Sequence, residues 1–311
     1  MGMRETYTEE LIRLAEKDDR ICVLDADLQV GHGTKAFGDK FPERCINAGV
    51  AEANMVGIAA GLSAGGKIPF AETFGCFAAR RAFDQFFLSG NYAQQNVKLL
   101  GSDPGVMAEY NGGTHMPLED LSMMRAIPGL VIVSPSDPVS VKGLMEQIAY
   151  HEGCVYIRMP RKAEQEIHAE GTKFKLGKGV VLKDGTDLTI IATGFAMMPE
   201  AVKSAEMLAE KGIKAAVIDM HTIKPLDEEL VLEYAKKTGM IVTMENHQTK
   251  GGLGGAVAEY LSTEYPTPVL RMGVREKFGQ VGTKDFLMDD YGITAAKMVP
   301  EIEAYYKARK A

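Results

Sequence analysis

One acidic residue, Glu52, lies within an apolar segment of the chain. The segment 47–66 reads NAGVAEANMVGIAAGLSAGG, and no further charge follows Glu52 until Lys67. Because burial removes the water that stabilises a carboxylate, Glu52 must either find a partner or take up a proton. Two interpretations stay open: a structural acid in the first turn of a packed helix, or a buried carboxyl that does chemistry at an interface.

The same segment repeats small residues at the spacing of one helix face. Gly57, Gly61 and Gly65 are four residues apart, so they lie on one side of a helix predicted over 50–65. Glycine in a helix interior costs roughly 0.5–1 kcal/mol relative to alanine, and its repetition therefore indicates a packing demand. Our hypothesis is that two copies of the chain meet through this face.

Two other segments contain residues suited to binding a ligand. In AETFGCFAARRAFDQF (71–86), Phe74 and Phe77 are three residues apart. Such a stripe is typical of a core, or else it forms a stacking wall for a flat heterocycle. The segment 102–120, SDPGVMAEYNGGTHMPLED, is long for a connecting loop and contains His115. This histidine either caps a helix or faces solvent, or it contacts a substrate.

Strands and helices must position these residues, and short apolar runs alternate with helical patterns along the chain. Predicted strands lie at 20–27, 43–49, 67–72, 97–103, 130–137, 154–158, 187–194, 214–220, 240–246 and 268–274. Predicted helices of the first half lie at 4–17, 50–65, 76–89, 119–126 and 137–151. This alternation predicts mostly parallel sheets covered on both faces, whose ligands bind beyond the carboxyl ends of the strands.

A charged segment flanked by proline and glycine interrupts the alternation after residue 158. We therefore predict an α/β protein of two doubly wound domains, at 1–165 and 179–311, with a linker at 166–178. The second domain is the smaller of the two.

Bulk properties exclude several classes of protein. The 311 residues are 46% hydrophobic and 25% charged, with a net charge of −7, which argues against a nucleic-acid-binding protein. We find no apolar run long enough to cross a bilayer and no signal peptide, so we expect a cytoplasmic protein that binds no membrane. The four cysteines are scattered without the spacing of metal ligands, and we predict no metal site in this chain.

Several ordered motifs together resemble the thiamine-diphosphate-dependent transketolase family. They are the segment 47–66, AETFGCFAARRAFDQ, GGTHMPLEDLSMMRAIPGLVIVSPSD, IKPLD, ENHQTKGGLGGAVAE and GVREKFGQVGT. The resemblance covers essentially the whole chain. It is to the carboxyl-terminal portion of that family, a pyrimidine-binding domain followed by a small C-terminal domain.

The family also has an amino-terminal domain, marked by Gly-Asp-Gly and a later Asn, that holds the diphosphate and a divalent metal. This chain has no Gly-Asp-Gly, and the nearest sequence, KDGTD at 183–187, lacks the first glycine. The resemblance therefore implies the C-terminal subunit of a split transketolase, whose N-terminal partner subunit holds Mg²⁺ or Ca²⁺. It also implies self-association as a dimer within a heterotetramer.

The resemblance assigns residues to the thiamine diphosphate. Glu52 matches the glutamate that hydrogen-bonds a ring nitrogen of the aminopyrimidine, a role that needs a carboxyl able to hold a proton, which burial favours. Phe74 and Phe77 match aromatics that stack on this ring. Asp27, in DADL, matches an acidic residue near the cofactor, and Arg80 stands where a tyrosine is frequent.

The resemblance also assigns residues to the substrate, with departures. His115 matches a substrate-binding histidine, while Arg4 and Arg158 fall near positions that hold a sugar phosphate, a task suited to the guanidinium fork. Asn111 stands where many transketolases have an aspartate that meets a donor hydroxyl. Ser102 or Asp103 stands where they have a histidine, and Gly31 where a serine is common.

The activity implied by the resemblance is transfer of a two-carbon ketol unit from a ketose, expected to be a phosphate, to an aldose. The departures at the substrate end leave the sugars open. Two alternatives within the chemistry stay open, an enzyme like deoxyxylulose-phosphate synthase and one like the decarboxylase beta subunit of a 2-oxoacid dehydrogenase. An alternative of another class is a non-catalytic regulatory subunit.

Overall fold

Two β-sheets form the centre of the protein. The structure is a computed structural model that describes residues 1–310. The strands are β1 (Ile21–Asp25), β2 (Cys45–Asn47), β3 (Ile68–Phe74), β4 (Lys98–Ser102), β5 (Val131–Val133), β6 (Val155–Met159), β7 (Val180–Lys183), β8 (Leu188–Ala192), β9 (Ala215–Asp219), β10 (Thr222–Lys224), β11 (Ile241–Gln248) and β12 (Val269–Val274). The seven-stranded sheet has the order β10-β5-β6-β4-β3-β1-β2, and the five-stranded sheet has the order β12-β11-β8-β9-β7. Only the edge strands β10 and β7 run antiparallel to their neighbours.

Helices cover both sheets. They are α1 (Met3–Ala15), α2 (Gln29–His32), α3 (Lys35–Lys40), α4 (Glu52–Ala64), α5 (Phe83–Gln85), α6 (Asp120–Arg125), α7 (Pro138–Tyr150), α8 (Met198–Ala209), α9 (Glu228–Thr238), α10 (Leu253–Glu264), α11 (Lys284–Asp290) and α12 (Ala295–Lys310). Short 3₁₀ segments lie at Pro42–Arg44, Gly105–Asn111 and Gly113–His115, and π-helical segments at Phe77–Arg81 and Phe86–Tyr92. None of the helices in residues 1–310 has the length and apolarity needed to cross a membrane.

Alternate residues of each central strand pack on opposite faces of the sheet. In β1, Ile21 and Val23 pack with residues of α1 and α7, whereas Cys22 and Leu24 pack with residues of α4. The second sheet is covered in the same way by two separate apolar clusters. Because both faces are buried, the strands form near-continuous apolar runs. The prediction of an α/β protein with two doubly wound, mostly parallel sheets is confirmed.

Two strands and three helices differ from the prediction. No strand was predicted at the short edge strands β7 and β10, and no helix was predicted at the short helices α2 and α3. The helix predicted over 76–89 divides into two π-helical segments around α5. Single-turn π segments are rare in helices and frequent at functional sites.

Strand β10 joins the two halves of the chain. It lies in the second half of the sequence but pairs antiparallel with β5 of the first sheet, with Thr222 opposite Val133. Lys224 then donates from Nζ to the carbonyl oxygens of Arg125 and Ile127. The bounds 1–165, 166–178 and 179–311 stay a prediction, and residue 311 lies outside the described residues.

The predicted linker contains no helix or strand, yet it packs between the two halves. His168 is buried, with Nδ1 3.1 Å from Asp137 Oδ2 and Nε2 3.3 Å from Asp219 Oδ2. The ring of Phe174 packs edge-on against His168 with centroids 4.9 Å apart. These contacts attach the linker to the start of α7 and to the end of β9.

Arg158, expected at a substrate phosphate, lies instead in the interior, and that expectation needs correction. Its guanidinium is buried and donates to Asp120, with Nε 2.7 Å from Oδ2, and to the carbonyl oxygen of Asn246 at 2.7 Å. All of these contacts hold β6, α6 and β11 together. Arg158 is therefore a structural residue at the junction of the two sheets.

Replacing Arg158 tests this structural role. Arg158→Met keeps the apolar stem but leaves Asp120 buried without its cation, and we expect the free energy of unfolding to fall by about 3–5 kcal/mol. Urea denaturation measures this loss. The control Arg20→Met breaks an exposed pair with Asp18 and should cost less than about 1 kcal/mol. Equal, small losses for both variants would contradict the structural role.

Candidate active site

The candidate site lies beyond the carboxyl ends of β1, β3, β4 and β6. Phe74 ends β3, Ser102 ends β4, and Arg161 follows β6 by two residues. In parallel sheets these ends lie on one edge, where ligands bind. The loop that carries His115 crosses the same edge, because it directly follows β4.

Glu52 is the first residue of α4 and is 1% exposed. Of the two possibilities raised by the sequence, the structure shows a partner: Nη1 of Arg81 donates to both carboxylate oxygens, at 3.0 and 2.9 Å. The guanidinium carbon of Arg81 also lies 4.2 Å from the ring centroid of Phe77. Charge-assisted bonds to both oxygens and the ring face below fix this pair.

Three aromatic rings form a partly exposed wall beside this ion pair. Phe74, Phe77 and His115 contact one another edge-on, with ring centroids 6.1, 5.6 and 5.1 Å apart. Each ring keeps part of its surface open to solvent. Phe74 and Phe77 are therefore not a core stripe. Of the two interpretations that the sequence left open, the stacking wall agrees with this exposure.

A buried polar network lies behind the wall. Glu72 is fully buried and hydrogen-bonds the hydroxyls of Tyr7 at 2.9 Å and Thr34 at 3.1 Å. Burial raises the pKa of Glu72 to about 8, so the carboxyl is protonated at neutral pH. His32 lies next to it, with Nε2 2.9 Å from Ser102 Oγ and its ring 5.9 Å from Phe74. Burial, with help from neighbouring arginines, lowers the pKa of His32 to about 3.

A cleft of about 620 Å³ lies next to the wall, where the first half of the chain meets the second. Asp103 and Arg161 line it and pair at 2.6 Å, and the guanidinium carbon of Arg161 lies 4.6 Å from the ring centroid of Phe74. The other charged and polar residues that line the cleft are Arg4, Glu5, Glu109, Asn111, Lys162, Glu164, Thr283, Lys284 and Asp285. The basic side chains of the cleft, Arg161 included, can bind an anionic group.

The remaining expected residues lie apart from the aromatic faces. Asp27 is exposed and exchanges hydrogen bonds with Asn47, each 3.1 Å long. Arg80 points away from Glu52 and pairs with Glu119, while donating to the carbonyl oxygens of Thr114 and Met116. Arg80 thus supports the loop that carries His115, and its expected contact with a cofactor stays a prediction.

Four residues of the site were not assigned from the sequence: Arg81, Glu72, His32 and Arg161. Two of them carried a signal, because Glu72 ends the strand predicted over 67–72 and Arg81 neighbours the aromatic stripe. Neither signal says which of two adjacent arginines faces Glu52. Among residues 1–310, no three His, Cys, Asp or Glu side chains converge in a way that could hold a metal ion.

Comparison with known proteins identifies the family. The model of the transketolase pyrimidine-binding domain matches residues 1–165, and that of the transketolase C-terminal domain matches residues 177–298. The chain belongs to the transketolase family. Its pyrimidine-binding domain implies thiamine diphosphate as the cofactor.

Several similar proteins are transketolase subunits. The chain is 50% identical over 297 residues to the 6-deoxy-6-sulfo-D-fructose transketolase subunit SqwH of Clostridium sp. (strain MSTE9), covering 96% of this chain and 92% of that protein. It is 37% identical to one of the subunits of the apulose-4-phosphate transketolase of Phocaeicola vulgatus (strain ATCC 8482), covering 94% of each. A solved split-gene transketolase, described as an inactive beta4 tetramer, superposes with a TM-score of 0.91 at 42% identity over 99% of both chains. This chain therefore corresponds to the C-terminal subunit of a split transketolase, a transferase that acts with a partner subunit.

The buried Glu72 predicts a measurable dependence of stability on pH. Its pKa is raised in the folded state from 4.5 to about 8, so only the folded chain holds this proton between those values. The contribution is therefore present below about pH 4.5 and is lost as pH rises towards 8. Across this window the free energy of unfolding of the natural chain should fall by up to about 1.4 kcal/mol per pH unit, the slope for one proton. Glu72→Gln should remove this contribution to the slope.

Denaturation curves at several pH values, for the natural chain and the variant, measure this difference in slope. Glu43→Gln serves as control, since Glu43 is an exposed acid of a 3₁₀ segment. Parallel curves for the natural chain and Glu72→Gln would show that Glu72 is ionised in the folded state.

Proposed function

We propose that this chain forms the pyrimidine side of an active site that transfers a two-carbon ketol unit from a ketose to an aldose. One observation carries the proposal: a buried carboxyl, Glu52, lies beside the partly exposed faces of Phe74, Phe77 and His115. A carboxyl next to aromatic faces fits a polar, flat heterocycle such as the aminopyrimidine of thiamine diphosphate. When bound, this cofactor supplies the nucleophilic carbon and the electron sink for carbon–carbon cleavage.

Glu52 holds a hydrogen at a ring nitrogen of the heterocycle. Its burial supports this role because a hydrogen bond made away from water is stronger than one made in water. Arg81 occupies both oxygens in the lone chain, so at least one oxygen must be released before Glu52 can serve. Phe74 and Phe77 orient the ring through their open faces.

The substrate lies between the aromatic wall and the cleft. Thr114 Oγ1 lies 2.9 Å from Nδ1 of His115, so Nε2 is the nitrogen left to accept or give a proton at a substrate oxygen. Asn111, on the same loop, is exposed and can hydrogen-bond a hydroxyl. Ser102 is engaged by His32 and Asp103 by Arg161, so both position their partners and do not bind the sugar directly.

An anionic group at the far end of the sugar binds in the cleft. Arg4 and Arg161 both line this cleft, and we assign the group to these two side chains in place of Arg158. The relatives support an anionic substrate, since one is named for a sulfonated sugar and another for a sugar phosphate. A guanidinium binds either group through paired N–H donors.

The partner subunit supplies the other half of the site. We propose that it holds the diphosphate of the cofactor together with Mg²⁺ or Ca²⁺, and that two copies of each subunit form a heterotetramer. We call the side of α4 that carries Gly57 and Gly61 the glycine face. It supports contact between two copies of this chain, because a Cβ added at either glycine meets nothing within 4 Å. A second backbone can therefore approach this face closely.

Replacing Glu52 tests the proposed chemistry. Glu52→Gln keeps the shape of the side chain but cannot exchange a proton, and ketol transfer by the assembled enzyme should fall by about 10²–10⁴-fold. Assembly and melting temperature should persist. The control Asp84→Asn removes an exposed carboxylate three residues from Arg81 and should leave turnover within about two-fold. Near-normal turnover of Glu52→Gln would refute the role of Glu52.

Replacing Gly61 tests the contact between two copies. Gly61→Leu places a large side chain on the glycine face, and the mass of the isolated chain in solution, measured by light scattering, should fall to that of a smaller species. Ala209→Leu adds the same side chain to an exposed position on α8 and should leave the mass unchanged. An unaltered mass for Gly61→Leu would mean that this face lies outside the contact.

A further inference from the structure

The motif GVREKFGQVGT, residues 273–283, has no role in the chemistry described above. It follows β12 at the carboxyl edge of the second sheet and carries Phe278, whose side chain is 98% exposed. A fully exposed phenylalanine on an ordered turn is unusual, since large apolar surface in water is unfavourable. Such residues mark interaction surfaces when they occur in groups.

The segment that carries Phe278 packs against the loop that carries His115, which we call the site loop. A Cβ added at Gly113 would clash with the carbonyl oxygen of Gly279, and one added at Gly279 would lie 2.7 Å from Met116 Cβ. The hydroxyl of Tyr291 donates to the carbonyl oxygen of Phe278 at 3.0 Å. Because the carbonyl group of Phe278 and the next residue, Gly279, are both held in place, the exposed ring is presented to solvent by a defined structure.

Other exposed apolar side chains surround this turn. Val281 packs against Gly112, where an added Cβ would lie 2.9 Å from Val281 Cγ2, and Phe286 packs against Gly282. Tyr110 is exposed on the site loop, two residues before Gly112. We call Tyr110, Phe278, Val281 and Phe286 the aromatic rim. It includes a residue of the loop that carries His115, contacts Gly112 of that loop through Val281, and borders the cleft through Tyr110.

The charges beside the rim are paired within the chain. Arg275 pairs with Glu301 at 2.5 Å, Lys277 with Asp290 at 3.4 Å, and Lys250 with Glu276. A face whose charges are neutralised offers little to an anionic polymer, whereas exposed aromatic side chains suit the centre of a protein–protein interface.

We propose that the diphosphate-binding partner subunit binds to the aromatic rim and, by binding there, closes the active site. This inference rests on the proposed function. The rim lies at the mouth of the cleft and around the loop of His115, where the missing half of the site must approach. The glycine face proposed for a second copy lies on α4 of the first sheet, so the two surfaces are separate.

The test measures binding of the full chain to the separately purified subunit from the same genome that carries the Gly-Asp-Gly and Asn pattern. Phe278→Asp should raise the Kd by at least about 30-fold in titration calorimetry with thiamine diphosphate and Mg²⁺ present. Phe278→Leu, which keeps an apolar side chain, should raise it less. The melting temperature and the mass of the isolated chain should not change.

A matched control is Tyr265→Asp. Tyr265 is also an exposed aromatic residue, but it precedes β12 and so lies at the opposite edge of the second sheet. The inference is overturned if Phe278→Asp binds the partner normally, if Tyr265→Asp weakens binding equally, or if Phe278→Asp changes the mass of the isolated chain. The natural chain separates the two proposals: if it fails to bind the partner at all, the proposed function itself is wrong.

Discussion

A carboxylate that is removed from water requires a partner, and the site of this protein is built around that requirement. Glu52 begins α4 in a segment with no other charge, and its two oxygens meet the guanidinium of Arg81. Arg81 can reach it because the chain after β3 is π-helical and places the guanidinium over Phe77. The aromatic wall, the loop of His115 and the cleft are arranged around this pair, on the edge of the sheet where ligands bind.

The sequence predicted the architecture well because its central strands are buried on both faces. Continuous apolar runs, such as the first four residues of β1 (Ile21–Asp25), are distinct from the helical patterns between them. The edge strands β7 and β10 escaped prediction for a physical reason. β10 has three residues, and it is a strand only because the edge of a distant sheet offers it hydrogen bonds, which no local pattern of residues can indicate.

The site could be predicted in part. Motif resemblance named Glu52, Phe74, Phe77 and His115, and the structure brings the three rings together beside the pair of Glu52 and Arg81; their roles stay predictions. Sequence could not decide between neighbouring cations. Arg158 lies inside a buried strand and faces Asp120, whereas Arg161 lies beyond the strand end and enters the cleft. Likewise, in the π-helical segment Phe77–Arg81, Arg80 contacts the site loop, whereas Arg81 contacts Glu52.

The central claim is that Glu52 exchanges Arg81 for a ring nitrogen of the cofactor when the enzyme assembles. The most direct measurement is a structure of the chain bound to its partner subunit and thiamine diphosphate. The account predicts that a carboxyl oxygen of Glu52 lies within hydrogen-bond distance of the aminopyrimidine ring and that Arg81 no longer contacts both oxygens. A structure in which the ring binds elsewhere, while Arg81 still holds both oxygens of Glu52, would contradict it.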